Sequence, residues 1–230
     1  MLTRVRWRLA MCSLLLVLMA GSSVAQLLMP RLLRQFNEKP GINLTAGGIT
    51  QDDQRQLWMA STNGIVRFDG RQFRVFHDPV LKEGDYYYHV VPSTDGRIWL
   101  KMGSGYSLSY VDPRHERIVR VPDTTRLMRD YLAKYGSHYI FFDAQNNLWI
   151  GLKGHGLLKV NPHTFAVEHV VDQSLHVRGI TQDRRGTIYF ATSNRGFFAY
   201  DPQTEKLTNY QHHESDGNSL SSNATFGVQV

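Results

Sequence analysis

Along this chain, apolar and polar positions form short alternating runs parted by turn residues, and one such run recurs. Its clearest copy spans Ile49 to Pro79, ITQDDQRQLWMASTNGIVRFDGRQFRVFHDP. Leu57, Trp58 and Ala60 make a first apolar run. Asn63-Gly64 predicts a two-residue hairpin turn, because a type I′ turn needs positive φ at both central positions. Ile65-Val66-Arg67-Phe68 supplies the next strand and Asp69-Gly70 another turn. Phe73, Val75 and His77 then alternate with Arg74 and Phe76 at the period of two that marks a strand with two faces. Opened by Gly48-Ile49-Thr50, the unit predicts an antiparallel meander of about four short strands.

Three further copies follow. The second has Asp95-Gly96 as a turn, Ile98-Trp99-Leu100 as its tryptophan strand, a turn at Gly103 to Gly105, and Leu108 to Val111 leading into Asp112-Pro113. The third has Leu148-Trp149-Ile150-Gly151, Gly154-His155-Gly156 and Asn161-Pro162. In the fourth, Ile188-Tyr189-Phe190 replaces the tryptophan text, followed by Asn194 to Gly196 and Asp201-Pro202. Trp58 to Trp99 is 41 residues, Trp99 to Trp149 is 50, and Trp149 to Tyr189 is 40. The long interval contains Leu127, Met128, Tyr131, Leu132 and Tyr135 at helical spacing, with Asp123 or Thr124 as cap and Gly136 as terminator.

A repeat of about 40 to 45 residues with four strands per unit is the signature of a β-propeller. The fold class is therefore all-β, with about four four-stranded antiparallel blades in a partial ring. The recurring turn followed by Leu57-Trp58, Ile98-Trp99, Leu148-Trp149 and Ile188-Tyr189 argues against a β-sandwich, which needs no such repeat. The expected division is 26–48 lead-in strand and connector, 49–79 blade 1, 80–122 blade 2, 123–137 helical insertion, 138–172 blade 3, 173–212 blade 4, and 213–230 connector and start of a fifth blade. That last stretch parallels the first connector, Gly227-Val228 matching Gly48-Ile49. Trp58, Trp99, Trp149 and Tyr189 are the structural repeat, aromatics packed between sheets, where burial contributes on the order of 2 to 3 kcal/mol each.

Residues 1–25 are set apart from the fold. Arg4, Arg6 and Arg8 precede an apolar run from Leu9 to Gly21, and Ser23-Val24-Ala25 places small residues before a cut at Gln26. The run is about thirteen residues, short of the roughly 20 that cross a bilayer, so a cleaved signal peptide is expected rather than a retained anchor. Loss of these three arginines lowers the net charge from +6 to +3 and removes the only cysteine, Cys12. The remaining charge gives no reason to expect nucleic acid. A periplasmic or otherwise exported location without disulfides follows.

Catalytic text is missing: there is no G-x-S-x-G, H-E-x-x-H or Walker loop. The glycine-rich Gly103-Ser104-Gly105 and Gly154-His155-Gly156 lie between strands and read as hairpin turns. The adjacent His212-His213 point apart, and Asp69, Asp112 and Asp201 recur once per unit as turn formers. Neither a metal, nor a cofactor, nor a catalytic residue is expected. The candidate ligand contacts are Tyr86, Tyr87, Tyr88 and His89, a dense aromatic cluster leading into blade 2, since tyrosines offer flat apolar faces with a polar tip. Strand alternation favours alternate tyrosines of this cluster packing inward instead.

The strings ITQD-x-x-x-x-LW-x-AS-x-NGI-x-RFDG-x-x-F-x-x-F and DGNSLSSN resemble the two-component regulator propeller repeats in the periplasmic sensors of Bacteroidetes hybrid two-component systems. The resemblance runs from about Phe36 to the C-terminus. It is looser in blade 2, where Met102 and Tyr106 depart from the repeat. It implies a non-catalytic ligand-sensing propeller, glycan fragments as ligands, and further blades, a membrane span and a kinase as partners downstream. On that footing the chain is expected to be the N-terminal piece of a longer sensor and prone to self-association. A free-standing binding propeller and an exported propeller lyase or hydrolase are the alternatives.

Overall fold

The computed structural model describes residues 44–62, 64–79, 81–82, 85–102, 108–112, 115–171 and 174–230, with the backbone alone at 44–47. The expected signal peptide and most of the lead-in, together with Asn63, the turn expected at Gly103 to Gly105 and Pro113, lie outside them.

Among the described residues, sixteen strands form four antiparallel sheets of four, each a simple meander in chain order. Blade 1 contains β1 (Leu44–Gln51), β2 (Leu57–Ser61), β3 (Gly64–Phe68) and β4 (Phe73–His77); blade 2 contains β5 (Tyr87–Pro92), β6 (Ile98–Met102), β7 (Leu108–Asp112) and β8 (Arg117–Arg120). Blade 3 contains β9 (Ser137–Phe142), β10 (Leu148–Leu152), β11 (Leu157–Val160) and β12 (Val167–Val171); blade 4 contains β13 (Val177–Gln182), β14 (Ile188–Thr192), β15 (Phe197–Asp201) and β16 (Lys206–Tyr210). These are the propeller blades that the sequence predicts. β1 begins at Leu44, inside the stretch read as connector.

The first strands β1, β5, β9 and β13 touch one another in succession. Each sheet has two apolar faces, so burial comes from stacking blade on blade. Trp58, Ile65, Val90 and Leu100 join blades 1 and 2. Trp99, Ile140, Leu148 and Ile150 join blades 2 and 3. Trp149, Val177, Phe190 and Phe198 join blades 3 and 4.

Two local readings change. Gly64 is the first residue of β3, paired with Ser61, rather than a central turn residue. Its glycine is required because φ is +137° and a Cβ would fall 2.0 Å from the Phe76 carbonyl oxygen on β4. The insertion is a π-helical run, Leu127–Leu132, continued by one α-turn, Ala133–Tyr135. Its cap is Thr125 rather than Asp123 or Thr124: Thr125 Oγ1 accepts the Met128 N–H at 3.3 Å and donates to the Pro122 carbonyl at 2.9 Å. Leu127, Met128 and Leu132 bury against the blade 2–3 core, which is why the apolar positions recur at helical spacing.

Beyond blade 4, the chain turns back along β13. A Cβ on Gly179 would lie 3.1 Å from Gly227 Cα, much as one on Gly48 would lie 3.1 Å from the Tyr88 carbonyl oxygen on β5. Gly227 and Val228 therefore stand beside β13 as β5 stands beside β1.

Candidate ligand site at the bulged ends of the inner strands

At one end of the first strands the structure follows a rule. Asp52 Oδ1 accepts the N–H groups of Gln54 and Gln56, and its Oδ2 accepts the Trp58 indole N–H at 2.8 Å. Asp143 does the same for Gln145, Asn147 and Trp149, again at 2.8 Å to the indole. Asp183 holds Arg185 and Thr187 and accepts from the Tyr189 hydroxyl at 3.2 Å. One carboxylate thus closes the turn and satisfies the polar atom of the interblade aromatic. Blade 2 has Ser93 at this position. The serine hydroxyl donates to Asp95 at 2.6 Å instead, and the buried Trp99 indole N–H has no partner among the described residues.

Clefts open between blades at this end. One of about 400 Å³ between blades 1 and 2 is lined by Asp52, Trp58, Arg67, Phe76, Asp95 and Glu116. Another of about 320 Å³ between blades 3 and 4 is lined by Asp143, Trp149, Lys159 and Arg185. Between blades 2 and 3 the Arg97 guanidinium lies 5.1 Å over Trp99, and Phe165 packs 6.5 Å from the same indole. Phe165 fills the space at a position where blades 2 and 4 carry Glu116 and Glu205, all three with positive φ.

The opposite end departs from any rule. Tyr87 pairs with Met102 and His89 with Lys101, leaving Tyr88 as an extra residue in β5. His138 is extra in β9 and Arg178 in β13, at the corresponding places. Such bulges bend a strand and re-aim the side chain they carry. Next to each bulge stands a cross-strand pair. In blade 4 it is Gly179 with Ala191, and counting from the turn aspartate and the tryptophan, blade 1 has Gly48 and Ala60. Blade 3 has Tyr139 with Gly151, and blade 2 has His89 with Lys101. Two large polar groups therefore stand where the outer copies keep a glycine and an alanine.

These departures meet in space. The His89 ring lies 4.2 Å from that of Tyr139, and His89 Nδ1 faces the Ile140 N–H at 3.5 Å. Lys101 Nζ is 5.4 Å from the Tyr88 ring centre and donates to the Met102 carbonyl at 3.0 Å. The His138 and His176 rings are 5.2 Å apart. Burial draws the Lys101 ammonium down to about 8. Burial, reinforced by the Lys101 charge, lowers His89 to about 4. Burial and then the charges of His176, Arg178, Lys101 and Lys153 lower His138 to about 4. At neutral pH both imidazoles are uncharged and Lys101 is largely protonated. Among the described residues, no three of His, Cys, Asp and Glu are gathered as a metal would require.

Of the four residues read from sequence, Tyr87 lies wholly in the core, its hydroxyl donating to Asp78 at 2.7 Å. Burial, then the hydrogen bond to Asp78, pushes that phenol above its ordinary range. Tyr86 and Tyr88 are exposed, and His89 is half-buried beside Lys101. Trp58, Trp99 and Trp149 are buried between blades, and Tyr189 partly so. Lys101, His138, Tyr139, His176 and Arg178 were not singled out. The signal for Lys101 was in the text: it stands two residues after Trp99, where the other units have Ala60, Gly151 and Ala191.

No protein-family model matches the chain, and no curated protein does. Among solved structures it is similar to the extracellular domain of the putative hybrid two-component system BT4673 of B. thetaiotaomicron, with a TM-score of 0.61 at 19% identity over 83% of this chain and 25% of that one. Virginiamycin B lyase of Staphylococcus aureus gives 0.59 at 12% identity, over 76% of this chain and 59% of that one. PorZ, a surface component of the type-IX secretion system of Porphyromonas gingivalis, gives 0.61 at 14% identity over 85% and 32%. The chain thus spans about a quarter of the length of that extracellular-domain chain, and what it shares with all three is the propeller fold.

Proposed function

We propose that this chain is a ligand-sensing propeller of an exported two-component signalling protein, and that it recognises a saccharide. The observation that carries the reading is the break in the repeat at one end of the inner strands. A scaffold that keeps Gly48 and Gly179 in its outer blades places His89, Lys101 and Tyr139 in the middle ones, beside the exposed Tyr88. Loops and strand ends of a rigid scaffold are where recognition residues gather. The likeness to the BT4673 extracellular domain and the expected signal peptide support export and a sensory role. Signalling then requires a ligand that favours one of two arrangements of the sensor over the other.

A thermal-shift screen of neutral and acidic oligosaccharides tests it. A ligand at about a hundred times its Kd adds about 2.7 kcal/mol, a rise of roughly 5 to 10 °C in Tm. Tyr88→Ala and His89→Ala should lose the rise. A screen in which no saccharide moves the transition overturns the reading. A second reading, a propeller lyase, draws on the likeness to virginiamycin B lyase and on the neutral His89 beside Lys101. Product formed from the bound saccharide would favour it, and binding without turnover would set it aside.

A further inference from the structure

We propose that the bulged end of the inner strands is an anion site, anchored by Lys101 and built for a saccharide carrying a carboxylate or a sulfate ester; this rests on the sensing reading above.

Lys101 is 5% exposed, on a strand whose five residues are all buried. Burying an ammonium without a counter-ion is costly, and a fold that needed only packing would keep the small residue found in the other three blades. An ammonium has three donors, and among the described residues Lys101 uses one, to the Met102 carbonyl. It forms no ion pair among them, and the influences on Lys101 and His89 include no carboxylate.

The surroundings have the same imbalance. The charges of Lys101, Lys153 and Arg178 all reach His138. Two buried nitrogens nearby, His176 Nε2 and Arg178 Nε, have no hydrogen-bond partner among the described residues. Donors and positive charge converge without an acceptor to match them, and an incoming anion supplies both the charge and the acceptor atoms. The flanks are aromatic. Tyr88 is 44% exposed beside Lys101, and Phe226 is 72% exposed with the Arg178 guanidinium 5.0 Å above it. Flat apolar faces next to cations suit a sugar ring that bears an acidic group better than a bare inorganic ion.

Calorimetric titration of the full chain with trigalacturonate, its methyl ester and inorganic sulfate tests the proposal. The acid should bind, more weakly as salt rises, and the uncharged ester should bind at least about tenfold more weakly. Lys101→Met keeps the length and apolar stem of the side chain. It should lose about tenfold or more in affinity for the acid while melting higher than the wild type, a combination that a merely structural lysine would not give. Arg178→Gln should weaken the acid and leave the ester unchanged. Equal binding of acid and ester, with Lys101→Met unaltered, overturns the anion site and leaves saccharide sensing standing. Sulfate binding as tightly as the acid supports the anion site and overturns its saccharide part. No heat from any of the three overturns the anion site, and the saccharide screen then judges the sensing reading separately.

Discussion

The two ends of the inner strands are made by the same four sheets and obey different rules. At the turn end, Asp52, Asp143 and Asp183 repeat one set of hydrogen bonds and hold Trp58, Trp149 and Tyr189 in place. At the bulged end, the outer blades keep Gly48 and Gly179 while the middle ones carry His89 and Tyr139 in the corresponding places. The difference separates architecture from recognition. Where a buried indole or phenol has to be satisfied, three of the four copies keep the same aspartate, and at the strand ends, where recognition residues gather, the copies differ.

The largest expected effect breaks the regular end. Asp143→Ala removes three turn hydrogen bonds and leaves the wholly buried Trp149 indole N–H unpaired, a loss of about 3 to 4 kcal/mol. For a chain of this size that is a fall of roughly 10 °C in Tm by calorimetry, and a change under about 2 °C would show that the aspartate is dispensable.

A smaller effect comes from the irregular end and appears as a pH dependence. His89 has its folded pKa lowered from 6.5 to about 4. Above pH 6.5 the imidazole is neutral whether the chain is folded or not. Between 6.5 and about 4 the unfolded chain binds a proton that the folded one refuses, so stability falls as pH falls, and below about 4 the loss is complete. From this residue it amounts to about 2 to 3 kcal/mol. In urea titrations across that window, His89→Gln should decline less steeply than the wild type, and parallel curves would refute the buried neutral imidazole.

The smallest effect would make the exceptional blade conform. Ser93→Asp gives the Trp99 indole the acceptor that the other blades provide, with Arg97 at hand to offset the added charge. A gain of about 1 kcal/mol in chemical denaturation is expected, and a loss would mean that Asp95 and its hydrogen bond from Ser93 already serve the turn better.

Much of the regular end was legible in the sequence because it is written in large apolar residues at a fixed interval. Trp58, Trp99 and Trp149 repeat with the blade, and burial at the interfaces demands that they do. The bulged end was legible only in part. In Tyr86-Tyr87-Tyr88-His89 a strict period of two cannot tell the inward residue from the outward one, because the extra residue at Tyr88 shifts the phase in the middle of the run. Tyr87 consequently sits in the core, and His89 reaches Lys101. His138 and Arg178 carry no local signal, since a bulge is set by how two strands close on each other rather than by the residue at its tip. Lys101 was hidden differently. A charged residue is ordinarily read as solvent-facing, and only comparison with Ala60, Gly151 and Ala191 shows it standing in an interior position.

The glycines beside the bulges also set an angle. At Gly48 the missing Cβ lets β1 and β5 come into contact, and at Gly179 it does so for β13 and the Gly227-Val228 segment. His89 and Tyr139 put rings into the corresponding places and act as spacers, so that β5 and β9 meet less closely than β1 and β5 do. Blades are wedges around an axis, and a wedge held open at its narrow edge subtends a different arc from one that closes to backbone contact. One residue per blade thus works as a shim that sets how nearly neighbouring inner strands approach.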